Sequence, residues 1–240
     1  MSGRRADLEL VARGLFPSRA KAAEAIAAGL VLVDGKPVSK ASEGILPDAQ
    51  IEAQAPYPWV SRGGVKLAAA LDTFRIDPAG QICLDVGAST GGFTDVLLAR
   101  GANQVTAVDV GHGQAHPKIA GDARVTLLER LDARSLTAAH LPAQPTLVVM
   151  DASFISLALI LPAVLPLATA GADLVALVKP QFEGAANKSG IVRDAAEREA
   201  ALGRVGACID ALGWRVLATM PSPISGGDGN IEYLLHARRK

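Results

Sequence analysis

The sequence predicts an α/β fold, a mainly parallel sheet covered by helices on both faces, behind a small α+β unit. Three observations carry this. From residue 60 onward, apolar runs of strand length alternate with helix-like segments. Those runs are apolar at nearly every position, as strands buried on both faces must be. Residues 1–54 break the pattern, with two short helical segments and a hairpin signal instead.

In the first segment, RADLELVARG reads as a short helix stopped by Gly14. PSRAKAAEAIAAG begins a second, with Ser18 as its N-cap and Gly29 as its stop. LVLVDGKPV gives a strand, an Asp34-Gly35 turn and another strand, and IEA (51–53) completes the unit. A small domain over 1–55, a linker over 56–63 and a larger domain over 64–240 follow from these boundaries. Pro56 and Pro58 stiffen the linker, and packing is the expected use of Tyr57 and Trp59.

In the larger domain VKLAAALDTF is helical and QICLDV is a strand. GGFTDVLLARG is the next helix, and QVTAVDV, RVTLLER and PTLVVMD are further strands. A helical stretch around 155–167 precedes the strand DLVALVKP. DAAEREAALGRVGACIDALG makes a long amphipathic helix, and WRVLATMP and IEYLLHAR close the sheet as an antiparallel edge.

Composition narrows the function. Lys+Arg and Asp+Glu balance at 24 each, so no global field draws polyanions or membranes, and any such site is a local patch. Cys83 and Cys208 lie in apolar runs and read as buried thiols in a reducing compartment. MSGRRADLEL lacks the apolar core of a signal peptide, and the membrane-like stretch 157–178 is interrupted by Pro162, Pro166, Gly171 and Asp173. A cytoplasmic protein without membrane partners is expected.

In a sheet of this kind ligands bind beyond the carboxyl ends of the strands. In ICLDVGASTGGFTDVLL an apolar run ends at Asp85, a turn follows through Gly87, Ser89, Thr90, Gly91, Gly92 and Phe93, and a helix begins. The second strand ends at Asp109, about twenty residues on, where an acid can accept from both hydroxyls of a ribose. Asp132 follows the third strand, Asp151 ends the fourth, and Lys179-Pro180 ends the fifth. Asp at such positions also caps turns, but four strands in a row argue for a ligand site.

The turn spacing G-x-x-x-G-G departs from the G-x-G-x-x-G of dinucleotide enzymes. An acid at the end of the first strand would repel pyrophosphate. It suits S-adenosylmethionine, which carries a sulfonium and an ammonium and no phosphate.

The methyl acceptor is narrowed by what is missing. There is no Asn/Asp-Pro-Pro-Tyr/Phe signature for amino groups, and neither cysteine stands at a strand end for pyrimidine C5 chemistry. Asp151 and Lys179 can form a proton relay, the help a weakly nucleophilic ribose hydroxyl needs. His112 and His116 follow the Asp109 strand and can line the cofactor site; His140 and His236 read as structural. No spacing among the four suggests a metal.

Two resemblances sharpen these expectations. The run from Arg13 through Ser18, Arg19, Ala22, Ile26, Gly29, Val31, Val33, Gly35, Lys36 and Val38 resembles the S4 RNA-binding domain. Residues 1–40 carry seven basic against four acidic side chains, and Arg13, Arg19, Lys21 and Lys36 are the candidate RNA contacts. WVSRGGVKL, CLDVGASTGGFTDVLL, DVGHGQ, MDASFISL, LVKPQFE, GIVRD and GNIEYLL, in that order, resemble the TlyA (hemolysin A) family.

That resemblance implies a Rossmann-like, FtsJ-like methyltransferase acting on the 2′-hydroxyl of cytidines in ribosomal RNA or a ribosomal subunit. It implies a catalytic tetrad at Lys66, Asp151, Lys179 and Glu232, and Arg62 of WVSRGG joins the RNA contacts. It places Asp85 near the methionyl end of the cofactor and Asp132 near the adenine. The chain departs from the family at Pro117 and in the loop 184–190. Rival readings are a membrane-active hemolysin and an RNA-binding module without catalysis.

Overall fold

A computed structural model describes residues 3–184 and 190–240, so most of the loop 184–190 lies outside the described residues. The chain divides into two compact units, Met1–Pro58 and Trp59–Lys240.

In the first unit, helices Ala6–Ala12 and Arg19–Ala27 pack over a three-stranded sheet with Val31–Val33 at its centre. Ser18 caps the second helix by accepting from the Lys21 N–H at 3.3 Å. Asp34 and Gly35 both take positive φ, 49° and 75°, the conformation a tight two-residue hairpin demands. Leu10, Phe16, Ile26, Val31 and Ile45 form the core. A second, two-stranded pairing of Arg4–Arg5 with Gly44–Ile45 was not expected. Two exposed arginines have no alternation to announce a strand.

Among the described residues the second unit is built on a seven-stranded sheet. Its strands are β1 (Ile82–Val86), β2 (Gln104–Val108), β3 (Val125–Leu128), β4 (Leu147–Met150), β5 (Asp173–Val178), β6 (Trp214–Pro221) and β7 (Tyr233–Arg239). The spatial order is β6-β7-β5-β4-β1-β2-β3; β1 to β5 run parallel, and β7 lies antiparallel between β5 and β6. The chain moves outward through β2 and β3 on one side of β1, then returns to β4 on the other. The crevice between β1 and β4 is therefore the topological switch point.

Among the described residues four helices of eight residues or more cover the sheet: α1 (Gly63–Phe74), α2 (Gly92–Ala99), α3 (Leu157–Val164) and α4 (Ala195–Ala211). Alternation along β1 sends Cys83 to the layer of Leu67, Val96 and Leu97, and Leu84 and Val86 to that of Leu161, Val205 and Trp214. Each fully buried Leu, Val or Ile adds about 1.5–3 kcal/mol. Two such layers make the strand ends a rigid frame. The stretch 157–178 resolves into α3, a 3-10 turn at Leu165–Leu167 and β5. Among the described residues no helix is long and apolar enough to cross a membrane.

Candidate active site

A cavity of about 520 Å³ opens at the switch point. Its wall is mostly apolar (Val86, Val108, Leu131, Ile155, Ile160) and contains three carboxylates, Asp109, Asp132 and Asp151, and among the described residues no Lys, Arg or His. Gly87 begins the turn after β1 with φ +83°, and a Cβ there would lie 2.7 Å from the Asp151 carbonyl oxygen. Only glycine lets the turn pass so close to the β4 end. A Cβ on Gly92 would collide with Ser61 Oγ, so this glycine serves the close packing of α2 against the chain entering α1.

Asp109 fastens the turn. Its Oδ2 accepts from the Ser89 N–H at 2.7 Å and its Oδ1 from the Gly111 N–H at 2.7 Å. Ser89 Oγ also donates to Gln114 Oε1 at 3.3 Å, and Gly87, Ser89, Gly111 and Gln114 all line the cavity. Asp132 lines it too, its carboxylate held down to about 2 by Arg134, which donates at 2.6 Å.

The structure corrects the expectation for Asp85. The residue is fully buried and outside the cavity wall. One carboxylate oxygen accepts from Thr94 Oγ1 at 2.7 Å, and the other has no hydrogen-bond partner. Burial pushes its pKa up to about 7, Thr94 resists, and Asp151 and Asp109 push further. Its carboxyl lies behind the site and does not line it. Phe93 is likewise a core residue packed with Leu67 and Leu97, because it sits on the inward face of α2. Thr90, Gly91 and Gly92 also lie outside the wall; Thr90 is exposed and its carbonyl accepts from the His116 N–H at 3.1 Å.

Among the described residues the second unit holds two lysine–carboxylate pairs built on a buried lysine, one of which reaches the cavity wall through Asp151. Lys179 Nζ, just past β5, lies 2.6 Å from Asp151 Oδ1 at the end of β4 and donates to Ser153 Oγ at 2.6 Å. The approach to Asp151 is a contact of charges, not an aligned hydrogen bond. Lys66 Nζ, on α1, lies 2.5 Å from Glu232 Oε2, just ahead of β7. A Cβ on Gly63, in the first turn of α1, would sit 3.6 Å from Asp151 Oδ2, so α1 begins directly against the first pair. Buried ion pairs rarely add net stability over apolar residues of the same size. A pair whose carboxylate lines a cavity, as Lys179–Asp151 does, therefore points to chemistry.

The predicted RNA contacts divide. Arg13 donates to Glu9 Oε1, Ala49 O, Pro47 O and Leu46 O at 2.8 to 3.2 Å. This guanidinium is tied to acceptors inside the first unit. Lys21 donates to Tyr57 Oη at 2.6 Å and lies 3.8 Å above that ring, and burial lowers its pKa. Arg19 pairs with Asp7 at 2.9 Å but stays 59% exposed, and Lys36 stands exposed on the hairpin. Arg62 is exposed and donates to Ser225 O at 3.0 Å.

Tyr57 also donates to Glu24 Oε2 at 2.5 Å, and Trp59 packs on the α1–α2 core. His112 pairs with Glu129 at 2.8 Å, His236 with Asp173 at 2.7 Å, and His116 caps the helical turn Pro117–Ala120, with Pro117 at its first position. Among the described residues no group of three or more His, Cys, Asp or Glu could hold a metal.

Sequence reasoning missed Gln114, Ser153, Phe154, Ile155 and Ile160 as cavity residues. MDASFIS marked the right loop without saying which side chains turn inward. Phe154 takes φ +64° and is 84% exposed, a conformation no pattern announces.

The family model described as FtsJ-like methyltransferase matches residues 59–239, and the S4 domain model matches 4–51. The chain is 46% identical over 239 residues to the 16S/23S rRNA (cytidine-2′-O)-methyltransferase TlyA of Mycobacterium tuberculosis, covering 98% of this chain and 89% of that protein. A solved candidate hemolysin from Streptococcus thermophilus is 40% identical with a TM-score of 0.78, covering 100% of this chain and 90% of that one. Magnesium protoporphyrin IX methyltransferase from Synechocystis PCC 6803, solved with bound SAM, shares the fold at 17% identity and a TM-score of 0.53. It covers 75% of this chain and 79% of that one.

Proposed function

The chain belongs to the FtsJ-like methyltransferase family, with an S4 domain ahead of the catalytic fold, and from that premise we propose that it methylates the ribose 2′-hydroxyl of a cytidine in ribosomal RNA, using S-adenosylmethionine, in the cytoplasm. The observation that carries the reading is the juxtaposition of a cavity walled by three carboxylates and, among the described residues, no cationic side chain with the Lys179–Asp151 pair at its edge. The donor set fits a cationic ligand without phosphate. The Gly87 turn fits it as well, since a side chain there would close the space against Asp151.

S-adenosylmethionine, when bound, supplies an electrophilic methyl group on a positively charged sulfur. The Gly87–Ser89 turn and Asp109 form the cradle. Each Asp109 oxygen accepts one N–H and keeps a lone pair free for a ribose hydroxyl. Asp132 borders the same space.

The substrate oxygen must lose a proton as it gains the methyl group. The Lys179–Asp151 pair stands where that proton can be received, with Ser153 Oγ fixing the ammonium. Lys66 and Glu232 hold the sugar by hydrogen bonds and keep the second pair neutral as a unit. Phe154, exposed at the cavity wall, offers a face on which a base turned out of its stack can lie. Orientation is the larger effect, since in-line placement is worth roughly 7–11 kcal/mol.

The test is transfer of labelled methyl from S-adenosylmethionine to ribosomal RNA, with the product mapped by mass. Lys179→Ala should abolish transfer and leave cofactor binding intact. A wild-type chain that binds the cofactor and labels no ribose would refute the reading.

A further inference from the structure

The loops that carry Asp151 and Lys179 are joined at three successive levels. At the first, Lys179 meets Asp151 and Ser153. At the second, the ring of Phe182 lies 5.3 Å from that of Phe154, tilted by 51°. At the third, Glu183 Oε2 accepts from Ser156 Oγ at 2.5 Å and Oε1 from the Leu157 N–H at 2.8 Å. Glu183 is itself buried and lies outside the cavity wall. Its N–H bonds the Pro180 carbonyl at 3.2 Å, and its carbonyl accepts from Arg204 Nε of α4 at 2.6 Å.

Between these levels sits Phe154 at φ +64°. A bulky residue in that region is strained by about 1–3 kcal/mol and persists only where its surroundings hold it. Phe154 is mostly exposed, so the packing of its own side chain supplies little of that restraint. The loop must be fixed at its ends. The Asp151 end is fixed by β4, and the Ser156 end meets one buried carboxylate. The Leu157 N–H is an orphan donor in the first turn of α3, where a carboxylate is doubly favourable.

We propose that Glu183 is a positioning residue, whose carboxylate clamps the end of the 151–156 loop to the segment 179–183 and so holds Asp151 and Ser153 against Lys179. The inference rests on the methyl-transfer reading for its functional consequence, and on hydrogen bonds alone for the clamp. Geometry, not charge, is the requirement. A glutamine can accept from the Leu157 N–H and donate to Ser156 Oγ, so the clamp survives neutralisation.

The experiment compares the full chain with Glu183→Ala and Glu183→Gln. Hydrogen exchange is followed over residues 151–158, S-adenosylmethionine titration counts binding-competent sites, and methyl transfer to ribosomal RNA is measured per competent site. The alanine variant should exchange its Leu157 amide about tenfold faster or more, and lose about tenfold in kcat, with KM for the cofactor within about twofold. The glutamine variant should lie within about threefold of wild type in both. Alanine turnover per site matching wild type, or a glutamine variant as impaired as alanine, would overturn the proposal.

Should the alanine variant not fold, Ser156→Ala removes one of the two bonds to Glu183, together with the cap that Ser156 Oγ gives α3 by accepting from the Ala158 N–H at 3.2 Å. It should speed exchange at Leu157 and lower kcat, and no change in either would overturn the clamp. A wild-type chain that labels no RNA sinks the methyl-transfer reading instead, while the exchange comparison still decides the clamp.

Discussion

Lys66 and Glu232 lie 166 residues apart in the chain and 2.5 Å apart in space, and both are buried. Glu232→Ala leaves a buried ammonium without its partner, a loss of about 3–5 kcal/mol. The double variant Lys66→Met/Glu232→Leu replaces the pair with apolar bulk and should recover most of that stability, read from urea midpoints. Neither variant should transfer methyl groups. Activity in the stable double variant would show that the pair serves packing alone.

Asp109 should govern cofactor affinity more than fold. Asp109→Ala releases the Ser89 and Gly111 N–H groups and removes the ribose acceptor. Hydrogen bonds to charged groups contribute about 1.5–3 kcal/mol each, so Kd for S-adenosylmethionine should rise about tenfold to a hundredfold. Calorimetric titration checks this. An unchanged Kd would place the cofactor away from this cavity.

Asp85 should leave a signature in stability against pH. Its folded pKa, about 7, lies above its ordinary 3.8, so between those values the folded state holds a proton that the unfolded state has released. The contribution is full below about pH 4, declines as pH rises and is gone above about pH 7. Asp85→Asn keeps an acceptor for Thr94 and removes the titration. The wild-type minus variant difference in urea midpoint should therefore fall across that window and be flat above it. A difference that rises with pH would contradict the buried placement.

How much of this was legible in the sequence depended on whether a residue announces itself by pattern. Asp109, Asp151 and Lys179 follow apolar runs, and the strand order puts their carboxyl ends together, so the cavity could be foreseen. Asp85 ends the same kind of run, yet it turns inward to Thr94, since the β1 pleat sends its side chain under the turn rather than over it. Lys66 and Glu232 lie on a helix and before an edge strand, and only motif resemblance selected them. Ser153 and Phe154 depend on one left-handed residue, which no alternation reveals. The carbonyl bonds of Arg13 were not legible either, because a guanidinium that ties carbonyls and one that meets phosphate look identical in sequence.

Arg13 and Lys36 should accordingly behave as opposites. Arg13 donates to three backbone carbonyls and Glu9, each bond contributing about 0.5–1.5 kcal/mol or somewhat more for the charged pair. Arg13→Ala should lower the unfolding midpoint, while RNA affinity per folded molecule stays within about twofold of wild type. Lys36 is exposed on the hairpin and has no packing to lose. Lys36→Ala should leave the midpoint alone, weaken RNA binding, and reduce the slope of log K against log salt by about 0.7–0.9 for one lost phosphate contact. Filter binding of a ribosomal RNA fragment across a salt series, beside thermal melts, separates the two. A shallower salt slope in Arg13→Ala with an unchanged melt would return that residue to the RNA face.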